Sequence, residues 1–243
     1  MNKLQQWFTN LYDEFEDDVP KPEAFESVVQ AVEGAFGARP VKYLGAGDNG
    51  IAFLADDGDI IKFTIDKNEA LLWHRLKSKN QTGITHLKEI ANLVSSKTGE
   101  SYVYVLKAEF APNPVTPEQA RLIRGATKAA RENTERDMQK LGPKKTKEIY
   151  RNRRTFNFVK EFQKIADIDP DFEEIPTLLM DLADKHRGHI FDIQPDNFRR
   201  NVENKVILVD PSVPDLSGDI EQPEAIVYES KLDLALSCRV IYF

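Results

Sequence analysis

The sequence of 243 residues contains a single cysteine, Cys238, so it cannot form an internal disulfide. Its four histidines are scattered and never show the spacing of a zinc site. No apolar run reaches the length of a membrane span, and the amphipathic, acidic N-terminus is unlike a signal segment. These absences argue against a disulfide scaffold, a zinc module and a membrane protein, and they predict a protein of the reducing cytoplasm.

An excess of positive charge is also missing. The 33 Lys and Arg are outnumbered by 40 Asp and Glu, and the net charge of -7 argues against general binding of nucleic acid. Apolar residues at 41% and charged residues at 30% are typical of a globular chain with an ample core. The length allows one sizeable domain or two small lobes.

Apolar residues recur at helical spacing in residues 1–40, and prolines at positions 20 and 22 separate two such runs. This pattern predicts two helices that pack together as an N-terminal extension. The first apolar face comprises Leu4, Trp7, Phe8, Leu11 and Phe15, and the second comprises Phe25, Val28, Val29, Val32 and Phe36.

The periodicity changes at Val41, where short apolar runs predict strands over residues 41–44, 51–55 and 60–65. A glycine-rich turn separates the first two strands. Glycine lets backbone N–H groups approach a phosphate closely, although an ordinary hairpin explains such a turn equally well. No Gly-Lys-Ser/Thr opens a helix here, so the turn is not a Walker A loop. The candidate nucleotide-binding residues in it are Gly45, Gly47, Asn49 and Gly50.

Lys62 is an isolated cation in the apolar third strand, and Glu69 lies early in the helical run that follows. A glutamate in that position could pair with Lys62 and fix its ammonium group. Two simpler explanations remain open, since Lys62 could lie on a solvent face and Glu69 could be an acid favoured by the helix dipole.

Two further runs, over residues 87–94 and 101–106, complete five predicted strands in an N-terminal lobe of residues 41–110. The pattern then becomes helical, which predicts a mainly helical lobe over residues 111–243. A basic stretch at residues 144–154 indicates a solvated helix face, and a last helix is expected from about Ile226 to Arg239.

Asp192 and Asn197 are spaced as D-x-x-x-x-N, and the β-branched run of residues 206–209 leads directly to Asp210. Transfer of a γ-phosphoryl group needs a carboxylate for the proton of the attacking hydroxyl and oxygen ligands for Mg²⁺. These residue types could equally serve turns and a strand end.

Taken in order, these features resemble the protein-kinase-like superfamily. The segments Phe191–Asn197, F-D-x-x-x-x-N, and Asp210-Pro211 resemble the small serine/threonine kinases that lytic bacteriophages encode. The resemblance implies an α+β, two-lobed fold with a five-stranded antiparallel N-lobe sheet and a reduced helical C-lobe. It also implies ATP and Mg²⁺, and phosphorylation of Ser or Thr in host proteins. The roles it implies are Asp192 as base, Asn197 and Asp210 as metal ligands, Lys62 on the phosphates, Glu69 as its partner, and Glu109 in a hinge that meets the adenine.

The sequence departs from the kinase pattern where His and Arg usually precede the base, because Ile190 and Phe191 occupy those positions. Without that Arg, control by activation-loop phosphorylation is not expected. Two alternatives stay open. One is a small-molecule kinase similar to the aminoglycoside and choline phosphotransferases, with an acidic pocket drawn from Asp181, Asp184 and Asp196. The other is a catalytically silent pseudokinase that serves as a binding scaffold.

Overall fold

A computed structural model describes residues 3–15, 24–47, 49–77, 82–95, 103–142, 147–185, 193–210 and 223–228. These residues form a mixed α+β structure that divides into two compact units. The first unit contains the described parts of Met1–Ser78, Leu87–Phe110 and Asp219–Phe243, and the second contains those of Lys79–His86 and Ala111–Gly218. Within the described residues, no helix combines the length and apolar character needed to cross a bilayer.

The first unit is built on a six-stranded sheet whose order is β1-β2-β3-β5-β4-β9. All neighbouring strands run antiparallel except β4 and β9, which are parallel. The strands are β1 (Pro40–Ala46), β2 (Gly50–Ala55), β3 (Ile60–Thr64), β4 (Leu87–Ser95), β5 (Val103–Ala108) and β9 (Glu224–Tyr228), and the helices of the unit are α1 (Lys3–Phe15), α2 (Phe25–Phe36) and α3 (Lys67–Lys77).

The predicted number of strands, five, is wrong because β9 adds a sixth. Residues 226–228 were expected to begin a helix, but Ile226 pairs with Leu93 of β4 and is 7% exposed. The edge of β4 offers unpaired backbone groups, and a β-branched segment that pairs with them buries its apolar face at the same time. The rest of the expected helix lies outside the described residues.

The N-terminal helices are part of the first unit's core rather than an extension beside it. One face of the sheet, formed by alternate residues such as Ile61 and Phe63, packs with Phe8 of α1 and Val28 of α2 in a single buried cluster. Phe8 and Phe63 are 0% exposed and meet edge to face, with ring centroids 5.8 Å apart. Because successive residues of a strand point to opposite faces, Lys62 is left on the other side of the sheet.

The described residues of the second unit include three α-helices and a small sheet. Helix α4 packs against α5, and α5 packs against α6. A hairpin of β7 and β8 carries the short strand β6 on its outer edge. The elements are β6 (Asn113–Pro114), α4 (Pro117–Leu141), α5 (Lys147–Ala166), α6 (Ile175–Lys185), β7 (Phe198–Arg200) and β8 (Val206–Leu208).

Helix α4 begins at a complete capping box, as its Thr-Pro-Glu-Gln sequence favours. The Oγ1 atom of Thr116 accepts a hydrogen bond from the backbone N–H of Gln119, at 3.1 Å. The backbone N–H of Thr116 donates in return to Oε1 of Gln119, at 3.0 Å. The long helix therefore has a fixed start, which determines where its remaining side chains lie.

Candidate functional site

An ion pair joins Lys62 of β3 to Glu69 of α3, with 2.5 Å between Nζ and Oε1. The Glu69 side chain is 6% exposed and the Lys62 side chain 24% exposed. A carboxylate this deeply buried requires a compensating charge or several hydrogen bonds. The solvent-face explanation of Lys62 is therefore wrong, and the expected pairing with Glu69 is present.

Thr64 is a second partner of Glu69 that the sequence analysis missed. Its Oγ1 donates to Oε2 of Glu69 at 3.0 Å, so both carboxylate oxygens are engaged. The sequence alone could have predicted this contact, because Thr64 follows Lys62 by two residues and so lies on the same face of β3. Asp66 caps α3 through its Oδ1, which accepts from the backbone N–H groups of Asn68 and Glu69 at 2.9 and 3.1 Å. Strand and cap together fix the Glu69 carboxylate.

The glycine-rich turn closes the β1–β2 hairpin above this pair. The backbone N–H of Gly47 donates to the carbonyl of Gly50 at 2.9 Å, and the carbonyl of Asn49 accepts from the N–H of Ile65 at 2.9 Å. A Cβ atom built on Gly45 or Gly47 would meet nothing within 4 Å. The turn is thus tied to β3 at Asn49 and open at its two leading glycines.

Gly50 of the hairpin lies close to the backbone of β3 and to the side chain of Lys62. A Cβ atom there would lie 2.7 Å from the carbonyl oxygen of Phe63 and 3.3 Å from Cε of Lys62. We expect Gly50→Ala to destabilise the protein by about 1 to 3 kcal/mol, because the backbone contact must open to admit the methyl group. Urea unfolding measures this loss, and Gly45→Ala is the matched control, since its methyl group would enter open space. Equal stability of the two variants would contradict the close approach.

Glu109 follows β5 directly and is exposed. The neighbouring segment is anchored by Lys107, whose Nζ donates to the carbonyl of Phe36 at 2.9 Å and lies 2.6 Å from Oδ2 of Asp57. Burial opposes ionisation of Asp57, but hydrogen bonds from Lys107 and from the backbone of Asp59 outweigh it, and the pKa of Asp57 is lowered. These contacts hold the backbone next to Glu109 in place.

Asn197 ends a 3₁₀ turn, Pro195–Asn197, immediately before β7. The next residue, Phe198, is 1% exposed and stacks on Phe162 of α5, with ring centroids 5.8 Å apart. An aromatic anchor directly beside Asn197 restricts the position of its backbone. The amide side chain of Asn197 is half-buried.

Asp210 is brought beside Asn197 by the β7–β8 hairpin. Phe198 pairs with Leu208, and the backbone N–H of Val209 donates to the carbonyl of Asn197 at 2.8 Å. Asp210 is the next residue and is half-buried. Asn197 and Asp210, which both carry side-chain oxygens, therefore lie on neighbouring strand ends at the open end of this hairpin. The buried apolar strand β8 explains why the sequence places Asp210 there.

This pair of residues fits the donor preference of Mg²⁺, which takes carboxylate and amide oxygens and commonly keeps several water or phosphate ligands. In the part of the chain that the structure describes, no three His, Cys, Asp or Glu side chains cluster as a metal site. An ion held by Asn197 and Asp210 would therefore need further oxygen ligands from a substrate or from water. Asp192, the expected base, lies outside the described residues.

Thr127 of α4 makes a buried contact that the sequence analysis did not find. Its side chain is buried, and Oγ1 donates to the carbonyl of Ile193 at 3.1 Å. Ile193 follows Asp192 directly in the sequence, so α4 contacts the residue next to the expected base. No local pattern marks a threonine for a contact across 66 residues.

The structure thus assembles two separate groups of expected residues. In the first unit, Lys62 and Glu69 form an ion pair beneath the glycine-rich turn. In the second unit, the pairing of β7 with β8 brings the backbone of Asn197 close to that of Asp210. Protein-family models give no match to the chain, and a comparison with curated proteins also finds none. The observations that bear on function are therefore the chemistry of these residues and the geometry within each group.

Proposed function

We propose that the protein is an ATP- and Mg²⁺-dependent phosphotransferase with a two-lobed, kinase-like fold, acting on Ser or Thr hydroxyl groups of proteins. The observation that carries the proposal is the contact between Lys62 and the buried carboxylate of Glu69. Protein kinases use a lysine on the third strand, held by a helix glutamate, to bind the α- and β-phosphates. Glu69 is engaged on both oxygens, so the Lys62 ammonium is held in one place before any nucleotide binds.

The glycine-rich turn supports the same proposal. Its leading residues, Gly45 and Gly47, carry no side chain and face open space, so their backbone can approach phosphate oxygens. The turn lies next to Lys62, because Gly50 approaches the Lys62 side chain. In the proposed nucleotide complex this turn covers the phosphates, and backbone atoms near Glu109 meet the adenine.

In the proposed reaction Asp192 accepts the proton of the substrate hydroxyl. The hydroxyl oxygen forms a bond to the γ-phosphorus of ATP, the bond from that phosphorus to the β,γ-bridging oxygen breaks, and ADP leaves. Asn197 and Asp210 would hold Mg²⁺, which when bound neutralises negative charge on the phosphates. Thr127 positions the Asp192 segment through Ile193.

The acceptor class depends on the resemblance to the small bacteriophage kinases, which favours proteins of a host cell as substrates. Regulation by an activation-loop switch is not expected for this enzyme. The enzyme would be constitutively active, since Ile190 and Phe191 replace the residues through which such a switch acts.

Transfer of the γ-phosphoryl group from labelled ATP tests the proposal. We expect the full chain with Mg²⁺ to label proteins of a cell lysate, and Asp192→Asn or Asp210→Asn to lower the rate by a factor of about 10² to 10⁴. Removal of Mg²⁺ with a chelator should have the same effect. Glu203→Gln is the control, because Glu203 is exposed in the turn of the β7–β8 hairpin.

Two results would overturn this function. Label on aminoglycosides or choline, with none on proteins, would assign the small-molecule activity instead. ATP binding without transfer to any acceptor would indicate a catalytically silent pseudokinase that serves as a binding scaffold. Full activity in Asp192→Asn would refute the assignment of the base.

A further inference from the structure

A groove on the second unit is lined in part by Gln194, the second residue after Asp192 in the sequence. It has a volume of about 250 Å³ and is lined by one face of α4 and by Gln194. Arg124, Lys128 and Arg131 recur along this face at intervals of four and three residues, so they form one stripe on the helix. We call this feature the α4 groove.

The cations of the α4 groove differ in their contacts. Lys128 is paired with Glu132 on the adjacent turn at 3.8 Å. Arg124 and Arg131 are exposed and make no ion pair or side-chain hydrogen bond with any residue that the structure describes. An unpaired guanidinium presents a planar fork of donors that matches a carboxylate or a phosphate. The groove therefore offers two anion-binding groups that no described residue occupies.

The two residues that follow the proposed base in the sequence, Ile193 and Gln194, both contact residues of the groove or line it. Gln194 is two residues after Asp192, which keeps their Cα atoms within about 7 Å of one another. Thr127 lines the groove and donates to the carbonyl of Ile193. Whatever occupies the groove thus lies next to the segment at which the phosphoryl acceptor would bind.

The dimensions fit an extended polypeptide. Arg124 and Arg131 are separated by seven residues of helix, which corresponds to about 10 Å along its axis. An extended chain covers that distance in about three residues. Side chains bound to both guanidinium groups would therefore be close together in the substrate sequence.

Three cations and two carboxylates, those of Glu132 and Glu135, line the groove, so its charge is positive on balance, and this sign favours an anionic occupant. A cationic acceptor such as an aminoglycoside would be repelled by Arg124 and Arg131, whereas an acidic peptide segment would be attracted. Nucleic acid is disfavoured by the net charge of -7 over the whole chain. Glu135 lies at the end of the groove beyond Arg131 and limits the acidic segment on that side.

We infer that the α4 groove binds Asp and Glu side chains of a protein substrate, within about six residues of the phosphorylated Ser or Thr. This inference rests on the proposed function and adds its substrate class. Arg124 and Arg131 are positioning residues, because they hold the substrate and do not take part in the chemical step.

Peptide kinetics with the full chain test this inference. The peptides share one Ser acceptor and differ only in flanking residues, which are Asp and Glu in one series and Asn and Gln in the other. We expect the Arg124→Gln/Arg131→Gln variant to raise KM for the acidic series about tenfold, leaving kcat and KM for ATP unchanged. Raising the salt concentration should diminish the difference. Glu135→Gln should lower KM for the same peptides.

The control variant is Arg136→Gln/Lys140→Gln, which removes the same charge from exposed positions of α4 outside the groove. A wild-type enzyme that does not prefer acidic peptides would overturn the groove and leave the phosphotransferase standing. An Arg124→Gln/Arg131→Gln variant that still prefers acidic peptides would likewise overturn the groove and leave the phosphotransferase standing. Tighter binding of a single-stranded oligonucleotide than of the acidic peptide would also overturn it.

Absence of transfer to every acceptor would refute the proposed function and not the groove. A second measurement then decides, namely fluorescence anisotropy of a labelled acidic peptide titrated with the protein. Binding that is lost in Arg124→Gln/Arg131→Gln and retained in the control would support the groove as a peptide-binding surface. Binding that is absent, or equal in the two variants, would overturn it.

Discussion

Replacing Lys62 with Met is expected to lower the free energy of unfolding by about 2 to 3 kcal/mol, because Glu69 would lose its cation while its side chain stays 6% exposed. Thr64 would remain as a hydrogen-bond donor, but a neutral hydroxyl does not balance a buried charge. The same variant should reduce phosphoryl transfer about 10²- to 10³-fold, the usual effect of losing one phosphate-binding group.

The double variant Lys62→Met/Glu69→Leu separates stability from function. Replacing both members of a buried ion pair with apolar side chains is often nearly neutral, so we expect most of the lost stability to return. Thr64 would keep a partner, because its single hydroxyl hydrogen, released from Glu69, can be donated to the carbonyl of Asn49, which lies 3.2 Å from Oγ1. Activity should stay as low as in Lys62→Met, since the proposed phosphate contact is still missing.

Urea unfolding and the labelled-ATP assay measure the two effects in parallel. Lys67→Met, which removes an exposed lysine from the start of α3, is the control. Two results would contradict a functional pair: a double variant that recovers activity along with stability, or a Lys62→Met enzyme with wild-type kcat and KM for ATP. A double variant as unstable as Lys62→Met would instead refute the energetic argument.

Truncating Phe8 to Ala is expected to lower the free energy of unfolding by about 3 to 5 kcal/mol, the usual range for a large buried aromatic side chain. Phe8 is 0% exposed and contacts Phe63, which directly follows Lys62 on the opposite face of β3. Loss of this ring removes one of the buried contacts that join the N-terminal helix to the sheet. We therefore expect the sheet itself to become less stable, and not only the first residues.

Hydrogen exchange of the β3 amide groups, together with urea unfolding, distinguishes these possibilities. Gln6→Ala is the control, because Gln6 is exposed on α1 only two residues away. A Phe8→Ala protein that loses protection in α1 but keeps it in β3 would show that the helix is an appendage after all. A total loss below about 1 kcal/mol, well short of that range, would lead to the same conclusion.

The local sequence pattern was sufficient to predict those helices and strands whose own hydrophobic periodicity is clear. The apolar run of residues 60–65 predicted β3, and the β-branched run of residues 206–209 predicted the strand that precedes Asp210. The capping box of α4 likewise agrees with its local Thr-Pro-Glu-Gln sequence. The Lys62–Glu69 pair was also predictable, because strand and helix are joined by a short connection that brings both residues together.

Contacts between distant parts of the chain were not predictable in this way. By local preference the segment from Ile226 could form a helix or a strand. It forms a strand because it pairs with the free edge of β4. Phe8 could pack against α2 alone, and only the uncovered face of the sheet shows why it contacts Phe63. Thr127 and Ile193 are likewise brought together by folding.

The sequence by itself determined the identity and order of the chemical groups: a glycine-rich turn, Lys62, Glu69, and the set Asp192, Asn197 and Asp210. Tertiary structure decided which of their contacts exist, because burial and hydrogen bonding depend on neighbours that are far away in the chain. It buried Glu69 and engaged both of its oxygens, and it placed the cations of α4 beside Gln194.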